Sequence, residues 1–285
     1  MTDFVVRTTL HSAKLCAAGG GKCVPYYLTG MPSYATLQLR TDDRLAVLTL
    51  HNGKVNAINT DLARDLHNAF LDLDGDDTVD GIVLAGKEGC FCAGLDVRML
   101  ATSDAVGLRE FFTVYLTALQ TMVRCGKPVV AAMTGFAPAG GTVLALTADY
   151  RVMAIGPKHT VGMNEFNMSL QIPKMMADIY AHYRGEAGAW ADVQGARMYG
   201  AEAAAKLGLV DEALPVEEVL PRAEAYCRQL MQVHHPVFHR TKRYLRRGLL
   251  AAVDHQVEQM VDVIAEDFRD PVFKQMMERF VRSLG

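Results

Sequence analysis

The stretch TGFAPAGGTVLALTADYRV, residues 134–152, decides how the chain is read. It follows PVVAAM (128–133), an apolar run of strand length, and leads into a second such run, DYRVMA (149–154). Between them stand the glycine pair Gly140 and Gly141 and an apolar helical run that offers no acid, base, nucleophile or metal ligand. Strand, glycine loop, helix, strand is the unit of an α/β fold whose strands are joined by crossover connections. The pattern extends in both directions. TLQLR and LAVLTL read as two short strands joined at Asp42 and Asp43. A helix follows, with Thr60 as its N-cap, Leu62, Leu66, Phe70 and Leu73 on one face, and Gly75 as its stop. GIVLAG (81–86) suits a strand buried on both faces, and a helix over 107–124 leads back to the strand at 128–133. Beyond Pro173 nearly everything reads as helix: 174–184, 187–198, 201–207, 216–233, 237–248, 252–267 and 272–283.

Composition removes several classes of function. The chain has 285 residues, half of them apolar, enough to bury a large core. A net charge of −3 and a pI near 6.3 give no polyanion-binding surface, so nucleic acid is not expected as a partner. Apolar runs break well short of the roughly 20 residues a membrane span requires. Six cysteines, at 16, 23, 90, 92, 125 and 227, lack zinc-site spacing and disulfide-scaffold density, and read as reduced thiols. Cys90 and Cys92 read as small packing residues, and no metal site is expected. Residues 1–33 carry Arg7, Lys14 and Lys22 against Asp3, and include Gly19 to Gly21. They read as a leader or disordered extension, followed by an α/β core over 34–200 and a helical region over 201–285.

Two loops stand where α/β sheets gather ligands, at strand ends that open into helices. One is FCAGLDV (91–97) and the other is APAGGT (137–142). Two backbone N–H groups converging from them would make an oxyanion hole, whereas glycines placed only for close helix–strand packing would leave the same pattern. Neither Gly-rich phosphate-loop motif is present. After the next strand, VGMNEFNMSLQIP (161–173) holds one carboxylate, Glu165, in an otherwise uncharged segment. Desolvation there raises a carboxyl pKa toward the range useful for moving protons at neutral pH, and a buried, backbone-satisfied glutamate is the competing reading.

In this order, FCAGLDV, APAGGTVLALTADYRV and GMNEFNMSLQIP together resemble the crotonase (enoyl-CoA hydratase/isomerase) superfamily, and within it the mitochondrial Δ3,Δ2-enoyl-CoA isomerases. The similarity runs from about Thr36 to the C-terminus and takes in KVNAIN (54–59), which is similar to the family's CoA-binding loop. The resemblance implies a spiral of repeated ββα units with a helical C-terminal region that assembles trimers or dimers of trimers. It implies that the backbone N–H groups of Leu95 and Gly140 form the oxyanion hole and that Glu165 is the catalytic acid/base. It places acyl-CoA against Lys54, Val55, Asn56, Ala57 and Ile58, against Ala93, Gly94, Asp96 and Val97, and against Asn164. No cofactor is implied beyond the coenzyme A carried by the substrate, and fatty-acid β-oxidation in the mitochondrial matrix is the expected setting.

One departure from the family's hydratases is informative. They carry a glutamate in the helix after the double glycine, where this chain has Val143. Hydration needs a water activated and a carbon protonated, work suited to two carboxylates, whereas a 1,3-proton shift needs one. The resemblance therefore implies an isomerase, with a hydratase, another acyl-CoA thioester enzyme or an inactive binding protein as alternatives.

Overall fold

The pairing of strands explains why the apolar runs are continuous rather than alternating. The computed structural model describes residues 33–283, so the leader expected over 1–33 lies, apart from Ser33, outside the described residues. In chain order the elements of the first half are β1 (Leu37–Asp42), β2 (Leu45–Leu50), α1 (Thr60–Gly75), β3 (Gly81–Ala85), β4 (Gly89–Cys90), α2 (Val97–Thr102) and α3 (Ala105–Arg124). Then come β5 (Val129–Met133), β6 (Gly135–Pro138), α4 (Gly140–Leu146), β7 (Tyr150–Ala154), β8 (Thr160–Gly162) and a 3-10 turn (Glu165–Met168). The remainder is α5 (Lys174–Arg184), α6 (Glu186–Gln194), β9 (Tyr199–Gly200), α7 (Ala201–Lys206), β10 (Glu212–Leu214), α8 (Val216–Met231), α9 (His235–Leu245), α10 (Arg247–Val253), α11 (Val257–Asp267) and α12 (Pro271–Ser283).

The main sheet runs β1-β2-β3-β5-β7-β10, with β1 and β2 antiparallel as the hairpin reading predicts and the other neighbours parallel. Alternate residues of its strands enter two cores. Ala46, Leu48, Ile82, Leu84, Ala131 and Met153 pack with α1 and α3, and Leu45, Val47, Val83, Val130 and Val152 pack with Val219, Ala223 and Cys227 of α8. Burial on both faces, at about 1.5–3 kcal/mol for each fully buried large apolar side chain, is why β2, β3, β5 and β7 tolerate no charge in their middles except Arg151. Arg151 is admitted because Asp211 and the Ala148 carbonyl meet its guanidinium.

In a second, smaller sheet, β4-β6-β8-β9, the first three strands continue β3, β5 and β7 after a change of direction, and β9 adds antiparallel to β8. This is the ββα repeat: β3-β4, β5-β6 and β7-β8 each step from one sheet to the other before the next helix. Successive turns stack closely, so a Cβ on Gly135 would lie 2.0 Å from the carbonyl carbon of Gly89 on the turn beneath. Strands of two to four residues carry too little periodicity to read from sequence, and β4, β6, β8 and β9 were not expected.

Other expectations are corrected in detail. The N-cap of α1 is Asn59, not Thr60, because the Asn59 carboxamide accepts from the Leu62 N–H at 2.9 Å. The helix expected over 187–198 ends at Gln194, and the one over 237–248 is divided at Arg246, whose guanidinium turns in to Asp149 and the Thr147 carbonyl. The boundary drawn at 200/201 does not separate packing units: β10 extends the main sheet beside β7, and α8 forms the outer core.

Between α5 and β9 sits a fully buried carboxylate, Asp192, held by Arg184, Tyr180 and Tyr199. Those partners hold its carboxyl below the usual range although burial alone would raise it. Asp192→Ala leaves Arg184 and two phenols without their acceptor, and a loss of about 3–5 kcal/mol in denaturant unfolding is expected. A loss under 1 kcal/mol would show that the cluster is dispensable.

Candidate active site

The site is built where the ββα turns end. Two positive-φ residues set the direction of the peptide groups that follow them: Gly94, at φ +83°, precedes the Leu95 N–H, and Ala139, at φ +51°, precedes the Gly140 N–H. Glycine takes the first conformation freely, but for alanine it is strained backbone, a condition that persists only where surrounding structure enforces it. Here the enforcement comes from the Ala139 N–H, which donates to Gly162 O at 2.8 Å, and from the Thr142 hydroxyl, which donates to Ala137 O and accepts from the Gly162 N–H. The Leu95 amide is turned outward differently. Ile58 N–H donates to Gly94 O and Asp96 N–H donates to Ile58 O, so the N–H of Leu95 itself faces away from this pairing.

The two loops meet. A Cβ on Gly94 would lie 3.3 Å from Gly140 N, and one on Gly140 would lie 3.2 Å from Leu95 Cδ2. Among the described residues neither the Leu95 nor the Gly140 N–H has a hydrogen-bond acceptor. Gly140 also opens α4, whose first amides have no partner inside the helix and carry its partial positive charge. The arrangement can receive a carbonyl oxygen that becomes negative.

Glu165 opens the 3-10 turn that follows β8 and is 5 % exposed, with both carboxyl oxygens buried and unpartnered. Burial pushes its pKa up from 4.5 to about 7, and the main-chain amides of Glu165 and Asn164 beside it lower it by less. An acid held this way exchanges a proton near neutrality. The stability consequence has a definite sign. Between pH 4.5 and about 7 the native state binds the proton and the unfolded chain does not, so stability falls as pH rises through that window and levels off above it. The accumulated cost is about 3 kcal/mol at pH 8. Glu165→Gln is therefore expected to be more stable than the parent at pH 8 by up to that amount and equal to it near pH 4, as read by urea unfolding. Equal stability at both pH values would place the carboxyl in water.

Both features border a cavity of about 790 Å³. Of the residues expected at the site, Lys54, Val55, Ala57, Ala93, Leu95, Asp96, Val97, Asn164 and Glu165 line it. Asn56 and Ile58 do not. Ile58 is wholly buried, and the Asn56 side chain accepts from Asn52 N–H and donates to Phe91 O, which ties the 52–59 loop to the 91–97 loop. Gly94 and Gly140 lie behind the wall, at the loop junction. The Asp96 carboxylate caps α2 by accepting from the Arg98 and Met99 N–H groups. Lys54 is exposed at the rim.

The far wall was missed from sequence. Leu100, Phe112, Met168 and Met176 form part of it, and Ile264, Phe268, Phe273 and Phe280 of the C-terminal helices and the turn between them complete it. The sequence reads as helix over 252–267 and 272–283, but a helical reading does not say which cavity the apolar faces of α11 and α12 cover. Cys90 and Cys92 point their thiols at the Val55 and Asn56 carbonyls, and burial pushes their pKa values to about 11 and 12, which suits packing residues rather than reactive thiols. Among the described residues no group of three or more His, Cys, Asp or Glu side chains could hold a metal, and no helix is long and apolar enough to cross a membrane.

Comparison with known proteins agrees with this architecture. The family model for enoyl-CoA hydratase/isomerase matches residues 40–284. The mouse protein "Enoyl-CoA delta isomerase 1, mitochondrial" is 28 % identical over 246 residues, covering 85 % of each chain. "Crotonyl-CoA hydratase" from Syntrophomonas wolfei is 24 % identical over 259 residues, covering 88 % of this chain and 96 % of that one. The crystal structure of human mitochondrial delta3-delta2-enoyl-CoA isomerase superposes with a TM-score of 0.83 at 22 % identity, over 87 % of this chain and 98 % of the other, and shows the shared fold. With the ββα spiral, the paired glycine loops and a match across nearly all of the described chain, this protein belongs to the enoyl-CoA hydratase/isomerase family, the crotonase superfamily.

Proposed function

We propose that the chain is a Δ3,Δ2-enoyl-CoA isomerase, converting 3-enoyl-CoA to 2-trans-enoyl-CoA in β-oxidation. The observation that carries this reading is the placing of the carboxyls: Glu165 borders the cavity beside the two glycine loops, and the α4 position where the family's hydratases hold a second glutamate is the wholly buried Val143. The other carboxyls at the cavity are differently placed, Asp96 in the cap of α2 and Asp267 beside Phe268 at the end of α11.

In this mechanism the thioester carbonyl accepts from the Leu95 and Gly140 N–H groups. The Glu165 carboxylate takes a proton from C2, and the electrons of that C–H bond delocalise into a dienolate whose oxygen the two amides stabilise. The carbonyl then re-forms, the double bond settles between C2 and C3, and C4 takes the proton back from Glu165. The exposed rim of Gly53, Lys54 and Val55 receives the CoA moiety, and the apolar wall of Leu100, Phe112, Phe268 and Phe273 receives the acyl tail. No separate cofactor enters. A homotrimer or dimer of trimers is proposed with it, supported by the apolar Val237, Tyr244 and Leu245 exposed on α9, and a mitochondrial matrix location is proposed on the support of relatives described as mitochondrial.

Chromatography of products tests the reading: trans-2-hexenoyl-CoA is expected to give no 3-hydroxyacyl-CoA, while trans-3-hexenoyl-CoA gives the 2-enoyl product. Rapid hydration of the 2-enoyl substrate would assign a hydratase. Because Glu165 must be ionised to act as base, kcat/KM should rise with pH through about 7 and then level off. A profile flat from pH 5.5 to 8.5 would exclude Glu165 as the base.

A further inference from the structure

One buried polar group near the loop junction is used by nothing described so far. Tyr115 projects from α3, is 1 % exposed, and its hydroxyl has no hydrogen-bond partner. Its ring is anchored by parallel stacking on Phe111, with centroids 5.8 Å apart and planes 5° apart. The hydroxyl end reaches the place where the two glycine loops meet. A Cβ on Gly140 would lie 3.3 Å from the Tyr115 oxygen, 3.2 Å from Leu95 Cδ2 and 3.4 Å from Gly94 Cα. A phenol kept in an apolar core without a partner is costly, so its retention calls for an acceptor that arrives with a ligand.

We infer that the Tyr115 hydroxyl is a third hydrogen-bond donor at the oxyanion site, acting on the thioester oxygen together with the Leu95 and Gly140 N–H groups; this deepens the isomerase reading and rests on it. Burial and the neighbouring Cys92 and Glu165 raise the phenol's pKa well above its usual value, so it stays protonated and can only donate to an anionic oxygen. Phenylalanine at this position would keep the stacking on Phe111 and lose only the donor.

The test is Tyr115→Phe, read in two ways. The first uses cinnamoyl-CoA as an unreactive probe, whose long-wavelength absorbance moves to the red on binding as its thioester carbonyl is polarised. The second is turnover of trans-3-hexenoyl-CoA. The expected result is a red shift at least halved, kcat lowered about tenfold or more with KM within twofold, and a melting temperature unchanged or higher, because the parent hydroxyl has no partner to lose. An unaltered red shift in the folded variant, or unaltered kcat, would overturn the assignment. A variant that melts lower yet keeps the parent's red shift would make Tyr115 a packing residue. A parent protein that binds cinnamoyl-CoA with a full red shift and yet never isomerises would remove the isomerase reading while leaving the third donor in place.

Discussion

On the proposed isomerase mechanism, Glu165→Gln is expected to lower turnover by about 10²–10⁴-fold while acyl-CoA affinity stays within a few-fold of the parent. The size follows from the site having one proton-transfer group in the right place. Both oxygens of Glu165 are buried and uncommitted to any other partner, and α4 carries the buried Val143 where the family's hydratases hold a second carboxyl. The amide is nearly isosteric and leaves the Leu95 and Gly140 amides where they are, which is why binding survives. Stopped-flow turnover of trans-3-hexenoyl-CoA, with calorimetric binding of a saturated acyl-CoA, separates the two effects. Turnover within tenfold of the parent would mean that another group carries the proton.

Gly141→Ala removes activity through the backbone. A Cβ at this position would lie 2.2 Å from the Cys92 carbonyl oxygen and 3.1 Å from its carbon, which no rotamer can relieve. Either α4 or the 91–97 loop must move, and those are the two segments that present the Leu95 and Gly140 N–H groups. Each oxyanion donor lost costs about 10²–10³-fold in rate, and the overpacking costs about 1–3 kcal/mol or more in stability. Gly75→Ala is the matched control: a Cβ there meets nothing within 4 Å, and activity and stability should be unchanged or slightly improved. Equal behaviour of the two variants in urea unfolding and in turnover would refute the close approach.

What could be read from sequence, and what could not, divides along physical lines. The inner main-sheet strands were legible because burial on both faces forces uninterrupted apolar runs such as Gly81–Ala85 and Val129–Met133, whereas the three-residue edge strand β10 was not. The 91–97 and 137–142 loops were legible because glycines punctuate them. Of the two positive-φ residues that aim the site's amides, Gly94 could be foreseen and Ala139 could not, since its strain is imposed by Gly162 of the next turn of the spiral and by Thr142, which bonds to that glycine. Glu165 was visible as a lone charge in an apolar segment, but its burial needed the fold. That the Asn56 and Ile58 side chains turn inward to hold their loop rather than line the cavity was not legible, because sequence shows that a loop is present without showing which of its side chains point which way. Tyr115 was hidden within an amphipathic helix, where a tyrosine reads as one more core residue.

The most direct test of the central claim, that a single buried carboxyl moves the same proton from one carbon to another, is isotopic. Trans-3-hexenoyl-CoA deuterated at C2 is converted in ordinary water, and the position of the label in the earliest 2-enoyl product is read by mass spectrometry and NMR. The account predicts deuterium at C4 in a measurable fraction of the product, because Glu165 is 5 % exposed and returns what it took before water exchanges it. A product formed from the first turnovers with only hydrogen delivered to C4 would contradict it.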